Sequence, residues 1–222
     1  MLPYLEFLQT YGGRIVDGTL VTLVQFLCAT FVAVVSAIAL GLMKLLPNRV
    51  LRAIVTIYIE FFRGTSLLVQ LFWIFFVLPL FGITLDPFSA GFLAVGLNAG
   101  AYGAELVRGA ILAVPRGQWE AAIALNMTGA QRMRRIILPQ AVAIMLPPWG
   151  NLIIEVLKGT ALVALISVTD LMFEVRQINI STFLSVQAFG TALVIYYVFA
   201  RFMVTPFMRY FERSMARKMG KV

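Results

Sequence analysis

The 222-residue chain contains no histidine and a single cysteine. Metal centres built from imidazole or thiolate are therefore excluded, leaving only a poor carboxylate site, and no metal ligand is assigned. Ser-His-Asp and Cys-His nucleophile systems are excluded on the same ground. Cys28 has no partner for an internal disulfide and reads as a small buried apolar residue, so it says little about redox compartment. No Gly-x-x-x-x-Gly-Lys-Ser/Thr loop occurs, so the chain does not bind ATP in that way. Charge is scarce too, at 13% of residues. The opening "MLPYLEFLQTYGGRIVD" lacks a basic start followed by a short apolar core, so it reads as an interfacial segment rather than a cleavable leader.

What is present is apolar: 61% of residues are hydrophobic and the mean hydropathy is +0.92. Soluble domains sit nearer half apolar, so the composition favours a membrane protein. Gly18–Met43, Gly64–Leu85, Pro87–Ala104 and Gln177–Ala200 each contain no Asp, Glu, Lys or Arg. About 20 apolar residues cross a bilayer as a helix, and lipid leaves open backbone groups without partners. A further apolar region, Ile136–Thr169, carries Pro139, Pro147, Pro148, Glu155 and Lys158. It reads as one helix, bent or restarted near the Pro-Pro pair, with 151–169 in the bilayer. The fold expected is an all-α integral membrane protein, one transmembrane domain over 1–222. Its five spans lie near 18–43, 64–85, 87–111, 149–169 and 183–207.

The net charge of +8 is unevenly placed. Lys44, Arg49 and Arg52 follow the first span; Arg116, Arg132, Arg134 and Arg135 follow the third; Arg209, Arg213, Arg217, Lys218 and Lys221 follow the fifth. The opposite segments hold Arg14 and Arg176 but collect Glu6, Asp17, Asp86, Asp170 and Glu174. The positive-inside rule then puts the amino terminus outside and the carboxyl terminus in the cytoplasm, as an odd span count requires. The basic excess reads as a topology signal and a contact with membrane lipids. No aromatic-basic interleaving accompanies it, so nucleic acid is not an expected partner.

One cytoplasmic segment, 115–141, is polar and well punctuated. Gln118–Leu125 holds good helix formers. Asn126 is a residue that enters the left-handed region and ends helices. Thr128 then opens "TGAQ", a capping-box pattern with Gln131. Met133, Ile136 and Ile137 share the apolar face of a second helix, and Pro139 marks a break or change of direction. Helix, sharp turn, helix fits either a lipid-facing amphipathic hairpin or a docking element for a partner protein.

Polar residues inside spans default to functional candidates. Asn98, Tyr102 and Glu105 share one face of the third span, and Asn151, Glu155 and Lys158 one face of the fourth. Glu155 and Lys158 fit a purely structural pair equally well. Glu60 and Arg63 are expected at the cytoplasmic entry of the second span, Arg63 snorkelling to headgroups or contributing to a gate. Arg108 reads as an inner-interface anchor. Gly91, Gly96, Gly100 and Gly103 suit close helix approach, a subunit interface included. Trp73, Phe75 and Phe76 read as lipid-facing or packing residues.

The segment Glu120, Ala121, Ala122, three residues, Asn126, nine residues, then Ile136, Leu138 and Pro139 resembles the EAA motif of ABC importer membrane subunits. The one departure is Asn126, where that family has Gly. "EFFRGTSLLVQLFWIFFVLP" at 60–79, "AYGAELVRGAI" at 101–111 and "GNLIIEVLKGTAL" at 150–162 resemble the branch that takes up polar amino acids, including the histidine, arginine and glutamine importers. Ser66 stands where that branch commonly has Pro, and "KGTAL" where it often has Lys-Asp-Thr-Ser-Leu.

The resemblance implies a permease subunit in the bacterial cytoplasmic (inner) membrane that binds no cofactor, with ATP and Mg on a separate ATPase. It implies coupling to that ATPase through Glu120, Ala121, Ala122, Asn126, Thr128, Gly129 and Pro139. Implied partners are a second permease, identical or paralogous, an ABC ATPase dimer, and an external or periplasmic solute-binding protein. The cargo implied is a small zwitterion, a polar amino acid or an ectoine-like compatible solute. Asn98, Tyr102, Glu105, Asn151, Glu155, Lys158 and Thr160 are then candidates to line its path. Glu155 would face the cationic end, with Lys158 or Thr160 near the carboxylate. The rival is an ion-coupled secondary transporter with protons on Glu105 or Glu155. It calls for internal repeats, and none is evident.

Overall fold

The structure, a computed structural model, describes residues 4–218; Lys221, counted above with the basic carboxyl-terminal segment, lies outside them. The described chain is helical throughout, with no strand among the described residues. Helix α1 runs Tyr4–Met43 without interruption. At 1.5 Å per residue that is about 60 Å, roughly twice the hydrocarbon thickness. The opening segment is thus a continuation of the first membrane helix rather than a separate interfacial piece. Gly12 and Gly13, the sequence's apparent breakers, sit inside regular helix.

Asn48 caps α2 (Arg49–Gly64), its side-chain oxygen accepting from the N–H groups of Val50 and Leu51. Gly64–Ser66 breaks the chain before α3 (Leu67–Phe72), which continues through a π turn (Trp73–Val77) and a 3₁₀ turn (Leu78–Phe81). The two pieces meet at 108°. Asp86 caps α4 (Pro87–Leu112) by accepting from Ser89 N–H, with Pro87 in the first turn. That hydrogen bonding holds the Asp86 carboxyl below the usual carboxylate range. Helix α5 (Arg116–Ala124) and α6 (Gly129–Arg132) follow. A π turn (Met133–Ile137) then leads into α7 (Leu138–Thr160) and a 3₁₀ turn (Ala161–Ile166).

Pro139 lies in the first turn of α7, and Pro147 and Pro148 lie inside it. The chain neither stops at Pro139 nor restarts at the Pro-Pro pair; 129–166 runs as one continuous 38-residue helical segment without a sharp bend. Proline removes only one N–H, and the wide π turn just before Pro139 relieves its clash with the preceding turn. Asp170 caps α8 (Leu171–Thr182), which is followed by α9 (Ser185–Val198), a π turn (Phe199–Val204) and α10 (Thr205–Lys218). Four helical segments are long and apolar enough to cross a membrane, and a fifth crossing is counted if the bent α2–α3 pair forms one broken span.

The centre of the molecule is α1 against α4, with α7 packed on α4 and touching α1. Small residues set the spacing: Ala29, Ala33, Ala37 and Gly41 recur every four residues on α1, facing Gly96, Gly100 and Gly103 of α4. A Cβ built on Gly96 would lie 2.7 Å from the Val32 Cβ and 2.8 Å from the Ala29 carbonyl oxygen. The glycine set of α4 therefore packs within the chain and not between subunits. Close backbone approach of this kind is how helices associate in lipid, where apolar side chains gain nothing by leaving the solvent. On the other face of α1, Leu20, Val24, Leu27, Phe31, Val35 and Ile38 form an exposed apolar stripe, as suits a helix in a membrane.

At one end a small second bundle forms. Phe7 and Ile15 of α1 pack with Leu171, Val175 and Ile178 of α8 and Ala188 and Ala192 of α9. An Arg14–Glu174 ion pair at 2.7 Å and a Tyr4–Thr191 hydroxyl bond at 2.7 Å tie its rim.

Candidate functional site

The hairpin is specified at each turn. Asn126 takes φ 54°. Its N–H donates to the Ile123 carbonyl, and the Met127 N–H donates to the Ala122 carbonyl. This is the paired closure of a Schellman motif, with Asn at the left-handed position that usually takes Gly. Two residues on, both halves of the capping box are present: Thr128 N–H donates to Gln131 Oε1 at 3.0 Å, and Gln131 N–H donates to Thr128 Oγ1 at 3.3 Å. Ala122 is buried, whereas Glu120, Ala121, Thr128 and Gly129 are exposed and Pro139 is half-buried. Ile123 and Leu125 stand 57% and 74% exposed at the turn. The hairpin's root is anchored by a hydrogen bond that Gln140 Nε2 donates to Gln118 Oε1 at 3.1 Å and by the Arg132 guanidinium over the Trp119 ring. Ile137, Ala141 and Val114 add a buried apolar layer beneath it. The geometry presents a rigid polar-and-apolar crest projecting from the end of α7.

On α7, Asn151, Glu155 and Lys158 share one exposed face. Lys158 Nζ donates to Glu155 Oε1 at 2.8 Å, and the two side chains remain 61% and 66% exposed. Thr160 is set apart: it is fully buried and its hydroxyl donates to the Leu157 carbonyl at 2.7 Å. Asn151 lines a groove of about 190 Å³ together with Arg209 and Glu212 of α10; of these two, only Arg209 was noted in the sequence, among the terminal charges.

The trio expected on α4 divides into two tasks. Glu105 pairs with Lys44, which follows α1, and with Arg108 at 3.6 Å. Asn98 and Tyr102 instead meet the broken helix: Asn98 Nδ2 donates to the Phe62 carbonyl at 3.1 Å and to Gln70 Oε1 at 2.9 Å. Tyr102 donates to the Arg63 carbonyl at 3.3 Å, and its ring carries the Arg63 guanidinium 5.3 Å from its centroid. Arg63 therefore stands at the break, at the far end of α2, and not at a cytoplasmic entry.

Gln70, buried and overlooked in the sequence, completes the arrangement by donating to the Phe62 carbonyl at 2.8 Å and to Thr65 Oγ1 at 2.6 Å. Carbonyls orphaned by a helix break in lipid need such partners. The only sequence signal was the Gly64-Thr65-Ser66 cluster. The glutamine and asparagine that satisfy the break come from elsewhere in the chain. Among the described residues, no group of three or more His, Cys, Asp or Glu side chains is placed to hold a metal ion.

The chain's residues 29–217 match the family described as binding-protein-dependent transport system inner membrane component. A probable amino-acid ABC transporter permease of Sinorhizobium fredii is 44% identical, over 95% of this chain and 90% of that protein. The L-cystine transport system permease TcyB of Bacillus subtilis is 38% identical, over 78% of this chain and 73% of its own. Among solved structures, an amino acid ABC transporter crystallised with histidines superposes with a TM-score of 0.88 at 34% identity, covering 96% of this chain and 99% of that one. An inward-facing MetNI methionine ABC transporter superposes with a TM-score of 0.76 at 19% identity, over 93% and 98% of the two chains; that likeness concerns the fold alone.

Proposed function

The chain belongs to the family of inner membrane components of binding-protein-dependent transport systems, and from that premise we propose how it couples and what it carries. It is a permease subunit of an ABC importer of the amino-acid kind, non-catalytic itself, working with an ATPase and a solute-binding protein. In the proposed arrangement the 115–141 hairpin is the ATPase-coupling element. The observation carrying this is the doubly capped turn at Asn126–Thr128, with Glu120, Ile123 and Leu125 exposed on a crest anchored to α7. An exposed apolar crest on a polar, rigid hairpin suits a protein groove better than lipid, since the turn is fixed by its own caps and needs no interface to fold.

A second permease, identical or paralogous, encloses the path, and an ATPase dimer binds the two hairpins. The amino terminus faces outward and the carboxyl terminus the cytoplasm. The cargo is a small zwitterion such as a polar amino acid. Asn151, Glu155 and Lys158 line its path on the exposed face of α7. Asn98, Tyr102, Glu105 and Thr160 support that path by fixing the surrounding helices.

Purification of the importer from native membranes, with mass spectrometry of copurifying chains, tests the arrangement. An ATPase and a solute-binding protein will be recovered. Glu120→Lys will lower ATPase recovery and uptake about tenfold or more while membrane insertion stays normal. Normal uptake in that variant removes the coupling role from the hairpin.

A further inference from the structure

The last helix carries a feature that neither coupling nor transport uses. Arg209, Arg213 and Arg217 recur every four residues on α10 and are all exposed. With Pro206, Tyr210 and Ser214 they line a groove of about 580 Å³ along one side of the helix. None of the three arginines makes an ion pair or hydrogen bond with another described residue. The ion pairs of the described chain join Arg14, Lys44, Arg108 and Lys158 to acids elsewhere. The one carboxylate nearby, Glu212, lies in the adjoining grooves and leaves the row strongly positive.

The position of this row is set by packing. Met208 lies against Gly150 of α7, 3.6 Å from where a Cβ there would stand. Trp149 beside it packs with Ala37 and with Gly103, two residues before Glu105, the partner of Lys44. The paired charges of Lys44, Glu105 and Arg108 near this level suit the edge of the hydrocarbon, so Arg209 begins where α10 leaves it. Phe207, Tyr210 and Phe211 stand 61%, 70% and 43% exposed on the same turns. Aromatic rings favour the headgroup level, where one edge is wet and the body is apolar.

We propose that this groove on α10 is a binding site for the phosphodiester headgroup of an anionic phospholipid. Arginines four apart on a helix stand about 6 Å from one another, close enough for two guanidinium forks to bracket one phosphate. The exposed rings beside them take the upper part of the acyl chains. The leaflet occupied is the cytoplasmic one, a detail that rests on the orientation proposed above; the site itself does not.

The importer is purified with its ATPase in mild detergent, and phosphatidylglycerol, cardiolipin and phosphatidylethanolamine retained per complex are counted. Arg213→Gln/Arg217→Gln will retain about fivefold less anionic lipid, with phosphatidylethanolamine unchanged. Arg49→Gln/Arg52→Gln, which removes equal charge from another basic segment, will retain it normally. Equal loss in both double variants, or loss in neither, overturns the site. Displacement of lipid by millimolar inorganic phosphate overturns the lipid assignment in favour of a free-phosphate site. A photo-crosslinker at Tyr210 that captures the ATPase instead of lipid overturns it in favour of a protein contact. Ser214→Cys in a Cys28→Ala background, labelled with a membrane-impermeant maleimide, reports the leaflet separately. Labelling before cell lysis sinks the orientation, while lipid retention, read in detergent, still judges the site.

Discussion

Asp170 illustrates how one side chain joins the small second bundle to the central helices. Its Oδ1 caps α8 by accepting from Phe173 N–H at 2.8 Å, and its carbonyl oxygen lies 2.9 Å from where a Cβ on Gly18 would stand. The carboxyl is fully buried, and Thr22 accepts the next N–H, that of Leu171. Burial pushes the Asp170 carboxyl from 3.8 up to about 7; the N–H groups of Phe173 and Met172 oppose the rise, and the Glu174 charge adds to it. A folded state that holds the proton more tightly than the unfolded chain is favoured below the unfolded value. That stability is lost as pH rises through the folded one. The thermal midpoint of the purified importer will therefore fall between about pH 4 and about pH 7. Asp170→Asn, which keeps the cap, will flatten the fall by on the order of 5 °C. Identical slopes in the two proteins would show that Asp170 does not titrate in this range.

At the scale of elements, the α1–α4 contact is set by residues too small to attract notice singly. The Gly91–Gly103 set was legible as a packing face, but its partner was not. Ala29, Ala33, Ala37 and Gly41 are ordinary residues for a membrane span, and only their spacing of four distinguishes them. Gly96→Leu will separate the two backbones and lower the thermal midpoint by about 3 to 10 °C. Gly12→Leu, with nothing within 4 Å of the added Cβ, will leave it unchanged, and equal effects of the two would remove the argument from close approach.

The hairpin was readable because every signal in it is local: the left-handed Asn126, the Thr128–Gln131 box and the apolar spacing of the second helix all act within a few residues. The broken second crossing was not, since the groups that make a break tolerable in lipid, Gln70 and Asn98, lie 6 and 34 residues beyond Gly64 in the chain. Proline misled for a related reason. In water a proline pair ends most helices, but α7 runs through Pro147 and Pro148 where the alternative is open backbone in hydrocarbon.

At the scale of the whole molecule, a single chain is incomplete. A Glu–Lys pair roughly two-thirds exposed on a membrane-crossing helix needs water or another chain beside it, because lipid solvates neither charge. The second permease proposed above, meeting this one across a wet path, would supply both. Glu155→Gln removes the carboxylate but keeps the side chain's shape. It will raise the KM for a zwitterionic substrate about tenfold, the loss of one charge-assisted contact. Assembly with the ATPase stays intact. An unchanged KM with a lowered thermal midpoint identifies the pair as structural instead.

The unbroken rod from Gly129 to Ile166 has one more consequence. Its lower end is the second arm of the hairpin, and Glu155 stands 26 residues along it, about 39 Å away at helical rise. The helix is continuous past Pro139 and past the Pro-Pro pair, with no sharp bend at either. A tilt of about 10° imposed at the crest therefore sweeps the charged pair through roughly 7 Å, more than the length of its own ion pair. The helix works as a crank, with the prolines, residues expected to make it a joint, built into its shaft.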